Sequence, residues 1–356
     1  MSSAVLERAV SSQVAFLRSF VRDYLNRYKL LPLAFAFDKY RFELAGRALN
    51  NNRFRFEGHE YDVTPWLSDL GVDSSVRIGG DFVIGHDYAL LSDCGDRVKQ
   101  DVGISIFDTA NHGYDSLFLS SHIRSYLLNM IDHHLRRSRD IESSLFEELN
   151  DMMRGPITQE LLMNTVPLRQ RSRGAAGIHG QLHSDTGDFN FFCAGLPLFY
   201  YQADENQFYY LEPDKGPPLG YFANREPLRK RYVPHNVRLG EGDWLVLATD
   251  GCFESEVPDE CLSPVAMPRK PIKHFSFQAN TSLDVMASFN EVHRSLNHDL
   301  PNHSDPAIMS FCGILEPYLR QGASARRTID DVMVRIDGDE FFPRDDRSLV
   351  LVRHHA

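Results

Sequence analysis

Short apolar runs between turn-forming residues fill much of the sequence and predict many strands. Trp244–Ala248 is an unbroken apolar run, which is typical of a strand buried on both faces. Gly177–His183 and Phe189–Ala194 flank a polar turn and predict a hairpin. Similar runs predict further strands at Phe35–Phe42, Phe54–Tyr61, Phe199–Gln202, Phe208–Leu211, Tyr232–Leu239, Leu349–Val352, and three within Val76–Asp108, with turns near Gly85-His86-Asp87 and Cys94-Gly95-Asp96.

Longer stretches with apolar residues three or four positions apart predict helices. Tyr114–Arg137 is the clearest of them, and its apolar positions are Leu117, Ile123, Leu127, Ile131 and Leu135. Other helices are predicted at Ala4–Leu30, at Ile141–Met153, from Pro156 to a point before Pro167, at Asp305–Arg320 and at Ala325–Ile336.

The N-terminal helix carries an apolar stripe with alternating spacings of four and three. Its members are Val10, Val14, Leu17, Val21, Tyr24 and Tyr28. Such spacing is typical of a helix that packs against another helix. The stripe is open to two interpretations: it packs on the rest of its own chain, or it joins two chains in a homodimer or contacts a sensor.

Composition is that of an ordinary globular protein. Of the 356 residues, 42% are hydrophobic and 24% are charged, and the formal net charge of −11 argues against a nucleic-acid partner. The five cysteines show no CxxC spacing, so we interpret them as reduced thiols. No apolar run approaches the length of a membrane span, and the N-terminus lacks a signal-peptide pattern. We therefore expect a cytoplasmic protein with no membrane partner.

Acidic residues occur where predicted strands begin or end. Asp250 follows Trp244–Ala248, Asp108 ends another apolar run, Asp81 follows two glycines, and the pair Asp345-Asp346 precedes the last strand. A carboxylate at the end of a buried strand is costly unless something compensates its charge, and a metal ion is one such compensation. For any single site, a solvated turn explains the sequence equally well.

Six motifs in a fixed order resemble those of the metal-dependent protein phosphatases (type 2C, PPM), in their SpoIIE-like bacterial sporulation and stress-response branch. They are GGDF at Gly79–Phe82, DTANHG at Asp108–Gly113, AGLP at Ala194–Pro197, PLG at Pro218–Gly220, GDWLVLATDGCFES at Gly242–Ser255 and DDRSLVLVR at Asp345–Arg353. The resemblance implies an α+β fold, a four-layer α-β-β-α sandwich. We expect residues 1–32 to be a regulatory or packing helix, 33–75 an extension without assignment, and 76–356 the phosphatase domain, with an insertion around 258–303.

The resemblance also implies a site that holds two ions of Mn²⁺ or Mg²⁺, which prefer oxygen ligands. The ligands carried over are Asp81, Asp108 as the bridging residue, the backbone carbonyl of Thr109, Asp250, Asp345 and the neighbouring Asp346. A metal-bridging hydroxide would attack phosphoserine or phosphothreonine on a regulatory protein, such as an anti-sigma-factor antagonist.

His112 is open to two interpretations: a general acid toward the leaving oxygen, or a residue that caps or packs at the start of a helix. The family has glycine where Asn111 stands, and asparagine is the residue that best tolerates a positive φ there. Six further histidines are interpreted as surface residues: His179, His183, His133, His134, His354 and His355.

Two other functions stay open. One is a catalytically degenerate domain of this fold that binds or senses, and the full set of acidic positions argues against it. The other is a phosphatase acting on a small molecule such as a nucleotide, although no phosphate-cradling glycine loop is present. The basic loop Arg169–Arg173 fits either a phosphorylated partner or plain solvation.

Overall fold

The computed structural model describes residues 34–49, 53–56, 59–62, 79–90, 98–109, 114–136, 144–155, 174–211, 216–220, 232–253, 306–336 and 346–355. The strands are β1 (Ala34–Lys39), β2 (Phe42–Leu49), β3 (Arg53–Phe56), β4 (His59–Asp62), β5 (Phe82–Asp87), β6 (Val102–Thr109), β7 (Ala175–His183), β8 (Asp188–Ala194), β9 (Leu198–Gln202), β10 (Gln207–Leu211), β11 (His235–Arg238), β12 (Trp244–Ala248) and β13 (Arg347–His354). The helices are α1 (Tyr114–Leu135), α2 (Ser144–Arg154), α3 (Pro306–Arg320) and α4 (Ala325–Ile336).

Two antiparallel sheets pack face to face around a common core. The larger has the strand order β1-β2-β13-β12-β9-β10, and the smaller has the order β11-β8-β7-β6-β5. Successive side chains of a strand point to opposite faces, so each strand contributes alternate residues to this core. Ile104 and Ile178 of the smaller sheet, with Leu245 and Val350 of the larger one, are fully buried in it.

A pair of helices covers the outer face of each sheet. Ile123 of α1 and Phe146 of α2 pack against Phe107 of the smaller sheet. Phe311 of α3 and Val332 of α4 pack in the same way on the larger sheet. The order of layers is therefore helices, sheet, sheet, helices, which confirms the predicted α+β sandwich. No helix in the described part of the chain is long and apolar enough to cross a membrane.

Residues 34–49, where the sequence predicted one strand at Phe35–Phe42 in an extension of unassigned role, supply two strands of the larger sheet, because a turn at Tyr40-Arg41 divides them. β2 pairs with β13 along its whole length, from Leu49 opposite Arg347 to Phe42 opposite His354. β1 pairs in turn with β2 and forms the edge of the sheet. β3 and β4 form a separate two-stranded hairpin. Part of the extension is thus built into the sandwich.

The turn predicted at Gly85-His86-Asp87 is wrong, because β5 runs straight through these residues and pairs with β6. A Cβ atom at Gly85 would lie 2.4 Å from a ring carbon of Phe35. Gly85 therefore leaves space for the Phe35 ring against β5, and it is not a turn residue.

The prediction that the histidines are surface residues is also wrong for three of them. His179 is 1% exposed, His183 is 6% exposed and His134 is 7% exposed. Each reaches a polar neighbour: His179 Nδ1 lies 2.8 Å from Ser105 Oγ, and His183 Nδ1 lies 3.0 Å from Asp101 Oδ2. His134 Nε2 lies 3.9 Å from Glu148 Oε1. Polar partners within the fold make their burial tolerable.

Several sequence predictions fall outside the described residues. They are the N-terminal helix with its apolar stripe, His112 with Asn111, the helix after Pro156, the loop Arg169–Arg173, the insertion around 258–303, and Asp345.

Candidate metal-binding site

Two of the predicted acidic residues lie at one end of the smaller sheet. β5 and β6 are antiparallel neighbours, with Phe82 opposite Phe107. Asp81 directly precedes β5, and Asp108 is the penultimate residue of β6. The antiparallel register therefore brings both acids to the same end of this strand pair.

The larger sheet repeats this arrangement at the ends of its two central strands. β12 and β13 are antiparallel, with Ala248 opposite Leu349. Asp250 follows β12 and opens a short 3₁₀ turn, while Asp346 directly precedes β13. These two acids are again at one end of a strand pair, although they are 96 positions apart in the numbering.

Two hydrogen bonds join the two strand ends across the sandwich. Thr249 Oγ1 donates to Asp81 Oδ2 over 2.7 Å, and the backbone N–H of Gly80 donates to Asp346 Oδ2 over 2.6 Å. Thr249 and Asp346 belong to the larger sheet, and Gly80 and Asp81 lead into the smaller one. All four predicted acidic positions that the structure describes therefore belong to one edge of the sandwich.

The Gly79-Gly80 pair lies against the end of β6. A Cβ atom at Gly80 would lie 2.5 Å from Thr109 Oγ1. The single proton of the Thr109 hydroxyl is shared between the carbonyl of Gly80, at 3.0 Å from Oγ1, and the carbonyl of Ser116, at 3.2 Å. Ser120 Oγ also donates to the carbonyl of Gly79 at 3.3 Å. The start of α1 is thereby fastened to the turn that carries Asp81.

A second close backbone approach occurs on the larger sheet. A Cβ atom at Gly251 would lie 2.1 Å from the carbonyl oxygen of Asp346, so only glycine fits between Asp250 and the start of β13. The sequence analysis attributed this glycine to a sharp turn, whereas the structure uses it for close packing.

The four carboxylates differ in their access to solvent. Asp81 is 2% exposed and Asp346 is 3% exposed, and each accepts one of the hydrogen bonds that join the sheets. Asp108 and Asp250 are only half-buried. Asp108 and Asp250 are therefore more accessible to solvent than Asp81 and Asp346.

A buried cysteine next to the site stays protonated. Burial, followed by the negative charge of Asp81, raises the pKa of Cys252, and the nearby Arg347 opposes this shift. The Cys252 thiol donates to the carbonyl of Ser348 at 3.3 Å. This shift disfavours the thiolate, which is the reactive form of cysteine.

The donors at this edge suit a hard divalent cation. The side chains of Asp81, Asp108, Asp250 and Asp346 offer oxygen atoms, which Mg²⁺ and Mn²⁺ prefer. Within the described ranges, however, no three histidine, cysteine, aspartate or glutamate side chains are placed so that they could hold a metal ion. Asp345, to which the sequence analysis gave a ligand position, lies outside those ranges.

Sequence reasoning missed the hydroxyl groups that support this edge. Thr249 Oγ1 donates to Asp81 and Ser120 Oγ donates to the carbonyl of Gly79, and both residues are buried. Thr249 carried one usable signal, because a hydroxyl residue directly after a buried strand needs a hydrogen-bond partner. Nothing in the sequence pattern identified Ser120.

The family comparison matches the middle of the chain. Residues 99–271 match the family model described as Stage II sporulation protein E (SpoIIE). The match includes Asp108, Thr109 and Asp250, while Asp81 and the Asp345-Asp346 pair lie outside it. The resemblance inferred from the motifs is thereby confirmed. No curated protein sequence matches the chain.

Several solved structures are similar to this chain at low sequence identity. The RsbU and RsbW domains of a Mycobacterium tuberculosis protein are 15% identical with a TM-score of 0.49; the match covers 88% of this chain and 62% of that one, which is less than two thirds of its length. RsbX in complex with magnesium is 12% identical, with a TM-score of 0.47 and coverages of 90% and 98%. The phosphatase domain and regulatory fragment of SpoIIE from Bacillus subtilis are 14% identical, with a TM-score of 0.42 and coverages of 99% and 91%. Since these TM-scores are below 0.5, we base no functional conclusion on them.

Proposed function

We propose that this chain, whose residues 99–271 match the SpoIIE family, is a metal-dependent protein serine/threonine phosphatase. The observation that carries the proposal is the shared edge of the two sheets. There, the Thr249–Asp81 and Gly80–Asp346 hydrogen bonds join the strand ends of the two sheets, and Asp108 and Asp250 lie near the ends of the neighbouring strands. Four acids from distant parts of the sequence at one edge are difficult to explain as ordinary solvated turns.

The residues that would hold two ions of Mn²⁺ or Mg²⁺ are the predicted set. They are Asp81, Asp108, the carbonyl of Thr109, Asp250, Asp345 and Asp346. When bound, such ions lower the pKa of a water molecule and neutralise charge on the phosphoryl oxygens. The oxygen-only donor set fits them.

We assign two roles to the side chains at this edge: some lie nearest the substrate, and the others hold the strand ends in place. Asp108 and Asp250 are half-buried and accessible, so we assign them the positions nearest a substrate phosphate. Asp81 and Asp346 are buried, and their hydrogen bonds hold the two strand ends together. His112 keeps its two interpretations, a proton donor to the leaving oxygen or a residue that caps α1.

For the substrate we propose phosphoserine or phosphothreonine on a regulatory protein, with an anti-sigma-factor antagonist as the first candidate. The SpoIIE match supports this class of substrate. A cytoplasmic location and a homodimer formed through the N-terminal helix belong to the same proposal. Both rest on the sequence.

A degenerate binding or sensing domain is the alternative, and one observation favours it. The described residues contain no group of three His, Cys, Asp or Glu side chains placed for a metal ion. In that case the edge would be a structural junction between the sheets, held by the same hydrogen bonds.

The test is hydrolysis of p-nitrophenyl phosphate and of a phosphoserine-containing antagonist protein, each with Mn²⁺, with Mg²⁺ and with EDTA. We expect turnover that depends on either metal and stops in EDTA, because the candidate ligands are oxygen donors. Undiminished turnover in EDTA would refute the two-metal assignment. Absence of turnover on both substrates would favour the binding domain, and a preference for nucleotides would indicate a small-molecule phosphatase.

A further inference from the structure

The Thr249 hydroxyl lies between the two sheets and contacts both. Thr249 is fully buried at the end of β12. Its Oγ1 accepts the backbone N–H of Ser348 at 2.8 Å and donates to Asp81 Oδ2 at 2.7 Å. One side-chain oxygen thus connects the backbone of the larger sheet to a candidate metal ligand of the smaller one.

The direction of these two hydrogen bonds is determined by chemistry. A hydroxyl has a single proton, and the Ser348 N–H can only donate, so the Thr249 proton is directed to Asp81. The bond is therefore made to an acceptor oxygen of the Asp81 carboxyl group, and oxygen is the kind of ligand atom that Mg²⁺ and Mn²⁺ prefer.

The position of the hydroxyl is set by strand pairing. The Thr249 N–H donates to the carbonyl of Ser348 at 3.0 Å, and the Ser348 N–H donates to Thr249 Oγ1 at 2.8 Å. With backbone and side chain both fastened to β13, Oγ1 has little freedom to move. A fixed donor on Oδ2 restrains rotation of the Asp81 carboxylate about its Cβ–Cγ bond.

We propose that Thr249 is a positioning residue, whose hydroxyl orients the Asp81 carboxylate for a divalent cation at the edge of the sandwich. This inference rests on the proposed function. Thr249 acts through Asp81 and is not assigned a contact with the substrate. Partners that orient ligating carboxylates typically change metal affinity or activity by about 10- to 100-fold when they are mutated.

Another buried threonine provides a matched control. Thr328 in α4 is also fully buried, but its Oγ1 donates to the carbonyl of Ser324, four residues earlier in the chain, at 2.9 Å. Its hydroxyl thus satisfies a local backbone group. Both Thr249→Val and Thr328→Val replace a buried hydroxyl group with a methyl group. Only the first substitution removes a hydrogen bond to a candidate metal ligand.

The experiment is calorimetric titration of the full chain with Mn²⁺. We compare wild type with Thr249→Val, Thr249→Ser, Thr249→Cys and Thr328→Val. We expect Thr249→Val to raise the Mn²⁺ dissociation constant by about 10- to 100-fold. Thr249→Ser should bind like wild type because it keeps the hydroxyl, and Thr249→Cys should lie between them because its thiol is a weak donor. Thr328→Val should bind like wild type.

A second readout separates positioning from loss of stability. With p-nitrophenyl phosphate, Thr249→Val should need more Mn²⁺ for half-maximal rate, while saturating Mn²⁺ restores most of kcat. A purely structural defect would lower kcat in proportion to the folded fraction, which circular dichroism of the metal-free protein measures. If Thr249→Val does not fold, the comparison of Thr249→Ser with Thr249→Cys gives the same answer.

Two failures have different meanings. If folded Thr249→Val binds Mn²⁺ as tightly as wild type, this inference is overturned and the proposed function stays intact. If the valine variant does not fold, the same result for Thr249→Cys has the same meaning. A wild-type chain that binds neither Mn²⁺ nor Mg²⁺ overturns the proposed function, and this inference with it.

Discussion

Among the acids at the edge of the sandwich, Asp108 combines accessibility with a place at the centre of the proposed ligand set. It is half-buried near the end of β6, next to Thr109, which is hydrogen-bonded to the turn before β5. Asp81, by contrast, is almost fully buried and accepts the Thr249 hydroxyl. Removing the charge of Asp108 should therefore affect chemistry more than folding.

Asp108→Asn should reduce kcat/KM of the Mn²⁺-supported phosphatase reaction far more than His112→Ala does. A bridging carboxylate would hold both ions, whereas a general acid typically contributes about 10²–10⁴-fold. The control is Asp204→Asn, the same chemical change at an exposed acid of the turn between β9 and β10. Wild-type rates in a folded Asp108→Asn variant would show that the bridging assignment is wrong.

His179 is an uncharged imidazole inside the protein. Burial, with added repulsion from His86 and His134, lowers its pKa from the ordinary 6.5 to about 3. Its Nδ1 is hydrogen-bonded to Ser105 Oγ at 2.8 Å. Between these two pKa values the unfolded chain binds a proton at this residue that the folded chain does not bind.

The free energy of unfolding should therefore fall as the pH decreases from 6.5 toward about 3. His179 can contribute a slope of at most about 1.4 kcal/mol per pH unit, and no slope above the unfolded pKa. Chemical denaturation at several pH values, for wild type and His179→Gln, measures this contribution as the difference between the two curves. His133→Gln, at an exposed position of α1, is the control and should run parallel to wild type. Equal slopes in wild type and His179→Gln would contradict the burial argument.

The strand β5 is aligned by the packing of an aromatic ring as well as by its ladder with β6. Phe35 of β1 lies against Gly85 of β5 and also against Gly46 of β2, where an added Cβ atom would again approach the ring to 2.4 Å. The Phe35 ring of the edge strand β1 thus packs against one glycine from each sheet, Gly46 and Gly85. Asp81 is positioned at the beginning of the same strand.

Gly85→Ala should lower the free energy of unfolding by about 1–3 kcal/mol, the usual cost of overpacking. The cause is the contact between the new methyl group and the Phe35 ring. Urea denaturation measures the loss, and a double-mutant cycle with Phe35→Ala tests its origin. In the Phe35→Ala background the effect of Gly85→Ala should become small, and an unchanged penalty would exclude this contact as the cause.

The sandwich as a unit brings the proposed ligands together from both sheets. Asp81 and Asp108 come from the smaller sheet, and Asp250 and Asp346 come from the larger. An ion held by both pairs would join the two sheets, so its binding energy would be lost whenever they separate. Metal binding and global unfolding should therefore be coupled.

Mn²⁺ at about 100 times its dissociation constant should raise the free energy of unfolding by about 2.7 kcal/mol. Guanidinium denaturation at fixed protein concentration, with and without Mn²⁺, measures the increment. Asp108→Asn should lose most of it, and Asp204→Asn should keep it. No increment in wild type would mean that the folded sandwich does not bind the ion preferentially.

Local sequence was sufficient for the elements whose pattern is periodic. The predictions Ala325–Ile336 and Trp244–Ala248 coincide with α4 and β12, because amphipathic spacing and an unbroken apolar run are local properties. The tight turn before β12 was also predictable, since Gly242 has a φ of 82° and the Asp243 carboxylate accepts the Gly240 N–H at 2.8 Å. The acidic positions and their motif order followed from residue identity alone.

Contacts between distant residues decided the rest. Thr249 and Asp81 are 168 positions apart, and Gly80 and Asp346 are 266 apart, so no local pattern encodes their hydrogen bonds. For the same reason Gly85 resembles a turn residue until the Phe35 ring is placed against it. His179 resembles a surface residue until α1 covers the smaller sheet. Residue types and their spacing therefore predicted the strands, the helices and the candidate ligands. Burial, close packing and the hydrogen-bond partner of each polar atom were decided only by the packing of the two sheets and their helices, because they depend on contacts between distant residues.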